Sequence, residues 1–449
     1  MIKIDFTVWV ILLLVTLVSC RKSDYQTDSD NEVIVDNGWG TGTVTWKRNK
    51  NYLLKGQVFV NDGQVLTIEA GTIIRGETGQ GIYASALVVA RGGKIIAEGT
   101  PEMPVIFTCE GDDLEKSVPV YSKGLWGGLI ILGNASINTE SGEEQIEGIP
   151  YFEPRGVYGG DNDNDNSGIL RYISIRHGGT NIGEGNEING LTLGGVGSAT
   201  TVEYIEVISN KDDGIEFFGG TVHTRFIVSA FNGDDAFDYD LGYRGQGQFW
   251  LAIQDFAEGD FLIEGDGGTQ PETGLPFSIP VIYNGTFIGR GSVLSNKTMQ
   301  LGRNAGGKFS NCIFMSQGEG VFIEYKENFS DSYAQFENGN LQINNNIFWN
   351  IAGNNFDQVF NVYSAAGVDN SIQNQVFKAA FSQSLNEVAN PGITKSGDVY
   401  ALLPTMNVFD NLAAYNDPWF TIVNYKGAFG QINWLRNWTL LDQAGFIDD

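Results

Sequence analysis

Basic residues are scarce in this chain. Its 449 residues include 27 Lys plus Arg against 54 Asp plus Glu, a formal net charge of −27. A field of that sign repels nucleic acid and anionic headgroups, which excludes a DNA- or RNA-binding role. Histidine is rarer still, with 2 residues, His177 and His223. Of 3 cysteines, Cys109 and Cys312 lie far apart with no paired spacing, so a zinc or iron-sulfur site is not supported. Both sit in strand-like runs, VIFTC and NCIF, and read as small buried hydrophobes rather than a disulfide. Proline numbers only 11, so the 59 glycines do not signal collagen or a low-complexity linker. Charged residues are 18% and hydrophobic residues 42%, which excludes a disordered acidic tail. Apolar patterns of helical period are missing between the short strand-like runs, which argues against an α/β crossover fold.

The one long apolar run, Val8 to Val18, is too short to span a bilayer and has the length of a signal-peptide core. It ends in Leu17-Val18-Ser19-Cys20, which resembles the lipobox of bacterial lipoproteins. The resemblance implies a signal peptide over 1–19 and a lipidated Cys20. An ordinary signal peptide that happens to contain the cysteine is the competing reading. The polar stretch RKSDYQTDSDNE then reads as a tether, with an entry segment to residue 50. Arg21 at the next position lacks the Asp of inner-membrane retention, and Asp24, Asp28 and Asp30 look like export signals of surface lipoproteins in the Bacteroidetes.

Short echoes organise the rest. Leu66-Thr67-Ile68 is repeated at Leu87-Val88-Val89, Tyr204-Ile205-Glu206-Val207 at Arg225-Phe226-Ile227-Val228, and Asp212-Asp213-Gly214 at Asp234-Asp235-Ala236, in steps of about 22 residues. Gly259-Asp260-Phe261-Leu262-Ile263-Glu264 is a looser third copy of the last. A single-stranded, right-handed parallel β-helix with a C-terminal cap explains such steps, because each coil of short strands buries its face only by stacking on the next. A β-propeller is the main alternative, but its blades are about twice as long. The expected layout is coils over 51–390 and a cap over 391–449, where Trp434 and Trp438 would share a helix face. Asn284, Asn311, Asn345 and Asn374 share the pattern Asn-x-[Thr/Ile/Val]-Phe and are expected to form a structural ladder at one corner, where Asn tolerates positive φ. A surface ligand stripe is the other reading of these four.

The stretches LTIEAGTII, LVVARGGKIIAEGT, PVIFT, LWGGLIILGNA, NEINGLTLGGVG, DDGIEFFGGTV, GDDAFDYDLGYRGQGQFW and the closing YKGAF…NW…NWT are similar to those of right-handed parallel β-helix lipoproteins of the Bacteroidetes, within the pectin-lyase-like superfamily. The resemblance covers residues 50–449. It implies the fold, the lipid anchor and an outer-membrane location with the cell surface favoured. It implies no catalytic activity, because that superfamily holds adhesins as well as polysaccharide lyases and hydrolases.

One coil step would bring Asp212, Asp213 and Glu216 about 5 Å from Asp234, Asp235 and Asp238, with Asp240 nearby. Carboxylates that close need a neutraliser, and Ca²⁺ is the simplest, while capping of turn N–H groups is the bland alternative. The run Asp161-Asn162-Asp163-Asn164-Asp165 is a second calcium candidate or a solvated loop; it resembles half an EF-hand loop, but Tyr172 stands where the closing Glu belongs. For an enzyme, a cleft of His177, Asp212, Asp213, Asp234, Asp235 and Arg244 would supply acid, base and cation. Tyr239, Tyr243 and Trp250, with Phe249, form a candidate glycan platform, although alternation puts some of them inside. The expectation is a non-catalytic surface module for binding, adhesion or scaffolding, with a glycan or surface-protein partner, a membrane contact through Cys20, and Ca²⁺ as its cofactor. The alternative is a polysaccharide lyase or glycoside hydrolase using the clustered Asp residues.

Overall fold

The computed structural model describes residues 31–183, 186–415 and 417–448. The signal peptide, Cys20 and the tether to residue 30 lie outside the described residues. Short strands alternate inward apolar and outward residues, and each pairs in parallel with its counterpart one coil on. They form an 18-stranded and a 10-stranded sheet, with small antiparallel hairpins at the rim. This is the parallel β-helix expected. The first coil starts earlier than the boundary at residue 51, because the strand Asn31–Val35 already pairs with Asn51–Lys55. The last strand of the parallel ladders is Glu387–Val388.

The larger sheet is creased lengthwise, so each coil has three faces. The crease is a column of left-handed residues in register: Tyr172, Tyr204, Phe226, Phe249, Asn284, Asn311, Asn345 and Leu385. Positive φ is strained for large side chains. In the first half, ring stacking offsets that strain: Tyr172–Tyr204, Tyr204–Phe226 and Phe226–Phe249 have centroids 4.2, 4.3 and 4.9 Å apart. In the second half Asn takes the position.

Asn284, Asn311 and Asn345 therefore share one corner, as expected, but they point outward. Their Nδ2 groups donate to the backbone carbonyls of Tyr425, Ala413 and Asn411. The inward ladder lies one residue later. Asn346 Oδ1 accepts from Cys312 N (2.8 Å), and Asn386 Oδ1 from Asn346 N (3.0 Å). Asn374 does not belong to the corner. It lies in the helix Ser371–Gln383, where Phe377 and Phe381, one helical turn apart, are buried. Its echo of the pattern is a coincidence of composition; Leu385 and Asn386 hold the fourth place.

Three apolar clusters hold the molecule. The first fills the solenoid along its axis. The second lies outside the coils: Ile208, Val228, Leu251, Ile288, Ile313 and Ile347 point away from the axis and are covered by the C-terminal region through Phe429, Leu435, Trp438 and Leu441. Strands apolar on both sides are what a doubly covered parallel sheet requires. The C-terminal cap is thus laid along the flank of the solenoid. The open end is covered by the helix Ser371–Gln383, whose Phe377 stacks on Phe360 at 4.7 Å. Trp434 and Trp438 lie in a series of turns rather than on a helix, with Trp438 Nε1 donating to Trp434 O. Gly427 (φ +87°) brings the flank cap close enough that a Cβ would lie 2.6 Å from Ile313 Cδ1. The third cluster packs residues 137–158 over the outside of Phe59, Val88 and Ile130. Cys109 and Cys312 are buried and unpaired.

Candidate functional site

On the 10-stranded face, inward residues alternate with acids. In Ile215–Phe218 and Phe237–Asp240, Ile215, Phe217, Phe237 and Tyr239 enter the core, while Glu216 and Asp238 point out in register. Glu264 and Gln300 continue that row, and Asp240 and Asp266 form a parallel one. At the adjoining corner stand Asp212, Asp213, Asp234, Asp235 and Asp260. Carboxylate oxygens gather within 4.8 Å of one another in three groups: Asp212–Asp213–Asp234, Asp213–Glu216–Asp238 and Asp234–Asp235–Asp260.

Part of this array does cap backbone. Asp213 Oδ1 accepts from Asp235 N (2.9 Å), and Asp235 Oδ1 from Phe261 N (2.6 Å). The remainder is oxygen-rich and poor in donors. Asn189, fully buried, reaches Glu216 and Glu147 with its Nδ2, while its own Oδ1 and Asp238 Oδ1 are buried without a partner. Among the described residues no ion pair reaches Asp212, Asp213, Glu216, Asp234, Asp235 or Asp238. Burial, followed by like-charge neighbours, pushes Asp212 up to about 8 and holds Asp213, Glu216, Asp235 and Asp238 well above the usual carboxylate range. Burial pushes Glu147 up to about 7. The oxygens of Asp213, Glu216 and Asp238, with Glu147 and Asn189 beside them, match the donor chemistry of a hard divalent cation.

Several expected members stand elsewhere. His177 is a buried corner residue (φ 60°), its Nδ1 2.7 Å from Ser122 O. Arg244 lies at the opposite corner and binds Asp163 (3.0 Å), Ser136 and Gly242 O. The cleft joining His177 and Arg244 to the Asp pairs therefore does not form. The Asp161–Asp165 run is docked rather than open. Asp163 accepts from Ser136 and Arg244, Asp165 from Asn134 and Ser167, and Asp161 is exposed. Tyr239, Tyr243 and Trp250 are core residues, so they offer no platform. Their hydroxyl and indole groups bond Gly306 O, Val222 O and Thr224 Oγ1; Tyr243 stacks on Phe217, and Trp250 on Phe217 and Phe237. The strand period puts Tyr239 and Trp250 on the inner side.

Glu147 and Asn189 had no signal in the repeats. Glu147 comes from the insertion over the same face, and Asn189 ends the hairpin excursion after Gly183. Asp260 and Glu264 were visible as the looser third copy.

Comparison with known families bears on the same coils. A family described as a pectate-lyase like beta helix domain matches residues 38–392. The chain belongs to that family. No curated protein and no solved structure matches it. In this pectate-lyase-like chain the carboxylate array lies within the matched residues. No helix among the described residues is long and apolar enough to cross a membrane.

Proposed function

We propose that this protein is a lipid-anchored outer-membrane module of the cell surface that binds rather than cleaves, and that a divalent cation such as Ca²⁺ neutralises its carboxylate face. The observation that carries this reading is the set of acidic groups with oxygens within 4.8 Å of one another and no ion-paired base. Asp213, Glu216 and Asp238 would hold the cation, with Asn189 and Glu147 beside them. A cation there supplies positive charge to which hydroxyls or carboxylates of a glycan, or a carboxylate of a surface protein, can coordinate. The lipobox-like Leu17-Val18-Ser19-Cys20 supports the anchor.

The second reading is a polysaccharide lyase or glycoside hydrolase. It is favoured by one observation: Asp212, pushed up to about 8, holds a proton at neutral pH and could serve as a general acid. A lyase would also need a basic group, and His177 and Arg244 are both engaged away from the array.

The test is a glycan-binding screen of the chain after the tether, run with calcium and with chelator, beside a depolymerisation assay on the glycans that bind. Calcium-dependent retention without product supports the binding module. Product formation that vanishes in the double substitution Asp213→Asn, Asp235→Asn, with the fold intact, would overturn it.

A further inference from the structure

The flank cap and the crease of the solenoid enclose a cavity of about 710 Å³ that has no part in the carboxylate array. Its lining includes Phe226, Phe249, Val423, Phe429, Ile432 and Trp434 and, among the described residues, no Lys, Arg, Asp, Glu or His. In a chain of net charge −27 that is a pronounced local departure.

The stacked rings of the crease explain its shape. Their faces are used against one another along the axis, so only ring edges look outward. Indole rings of the cap pack on those edges, one coil apart. Trp438 lies against Tyr172 and Tyr204 at 5.7 and 6.3 Å, with interplanar angles of 87° and 82°. Trp434 lies against Tyr204 and Phe226 at 6.4 and 5.4 Å, with angles of 76° and 71°. The next position along the ladder, over Phe226 and Phe249, opens into the cavity. Ring edges carry the positive end of the aromatic quadrupole and attract the π-face of another ring. The rim is apolar and solvent-facing, with Phe409 58% and Ile432 76% exposed.

We infer that this cavity is a binding site for a small, uncharged, planar aromatic molecule, seated edge-to-face on Phe226 and Phe249 as the third member of the Trp438–Trp434 series. The volume lies within the range of small-molecule pockets. A charged ligand would lose its hydration on entering a lining with no countercharge to offer.

The experiment titrates the protein with neutral N-phenyl-1-naphthylamine and, in parallel, with anionic 8-anilinonaphthalene-1-sulfonate. The expected result is saturable binding of one neutral probe per chain, with the anionic probe roughly ten-fold weaker or more. The substitution Ile432→Glu charges the rim and Val423→Trp fills the space. Each should weaken the neutral probe by roughly ten-fold or more without shifting the thermal unfolding curve appreciably. Equal binding of both probes, several probes per chain, or binding untouched by both substitutions overturns the inference. So does sedimentation showing that chains pair in solution and that Ile432→Glu separates them, since the face would then be an interface between copies.

Discussion

The carboxylate of Asp213 accepts a hydrogen bond from the backbone N–H of Asp235, its counterpart 22 positions later, at 2.9 Å. One contact records both the coil step and the crowding of acids that the coil step creates. Because several of these carboxyls have raised folded-state values, their contribution to stability is present at low pH. It is lost as pH rises through the folded values, about 7 for Glu147 and about 8 for Asp212.

In chelator, the unfolding temperature is therefore expected to fall from about pH 4, where the unfolded carboxyls ionise, to about pH 8. Added Ca²⁺ should restore it, and more at the alkaline end, because the ion binds the deprotonated form. Thermal melts across pH with and without the ion check this. A flat profile in chelator would show that the like-charge crowding is absent.

Removing one charge separates stability from binding. Asp213→Asn keeps an oxygen to accept from Asp235 N while deleting a buried like charge. In chelator at about pH 8 the variant should be more stable than the parent, by about 1 kcal/mol or more. Its affinity for Tb³⁺, read by luminescence, should drop by roughly ten-fold or more. A variant less stable in chelator would mean that the carboxylate is acting as a cap alone.

The flank cap is pinned through a buried acid. Glu206 accepts from Ser174 Oγ and from the N–H groups of Leu440 and Leu441, and Arg176 beside it donates to Ser174 and Gln443. Glu206→Ala orphans those donors and the buried guanidinium. A loss of about 3 kcal/mol is expected in urea unfolding, with early proteolysis near residue 440. Cleavage no faster than in the parent would show that the apolar contacts suffice to hold the cap.

At the crease, Asn311 combines a left-handed backbone (φ 57°) with two bonds to Ala413, one to its carbonyl and one from its N–H. Asn311→Ala should cost about 2–3 kcal/mol. Asn311→Gly should recover about 1 kcal/mol of that, the backbone share. Denaturant curves of the pair divide strain from hydrogen bonding.

Anchoring is tested directly. Cells producing the Cys20→Ser variant should release the protein from the membrane fraction, whereas the parent should partition into detergent. Retention of the variant would remove the lipid anchor from the proposal.

The solenoid was legible because it leaves a mark in one dimension. A coil step repeats its alternation, so Asp213 and Asp235 read as neighbours from the sequence, but the echo that set Tyr204 against Arg225 fell one residue short of Phe226, and Leu87 stacks on Val58 rather than on Leu66. The corner at Asn284, Asn311 and Asn345 was legible for the same reason. Its direction was not: strand alternation is interrupted at a left-handed residue, and nothing local says which side the Asn then faces. Asn374 matched the pattern in letters, but the helix periodicity of Phe377 and Phe381 outweighed it.

What the amino-acid order alone determined here is the repeat, and with it the stacked coils and the rows of acids. Only the folded chain decided that Tyr243 turns inward, that His177 and Arg244 stand at different corners, and that Glu147 and Asn189 join the carboxylates. The reason is physical. Repeats encode contacts between successive coils, whereas the insertion over one face and the flank cap over another dock through surfaces that no repeat marks, at separations as different as 42 positions for Glu147 and Asn189 and 102 for Asn311 and Ala413.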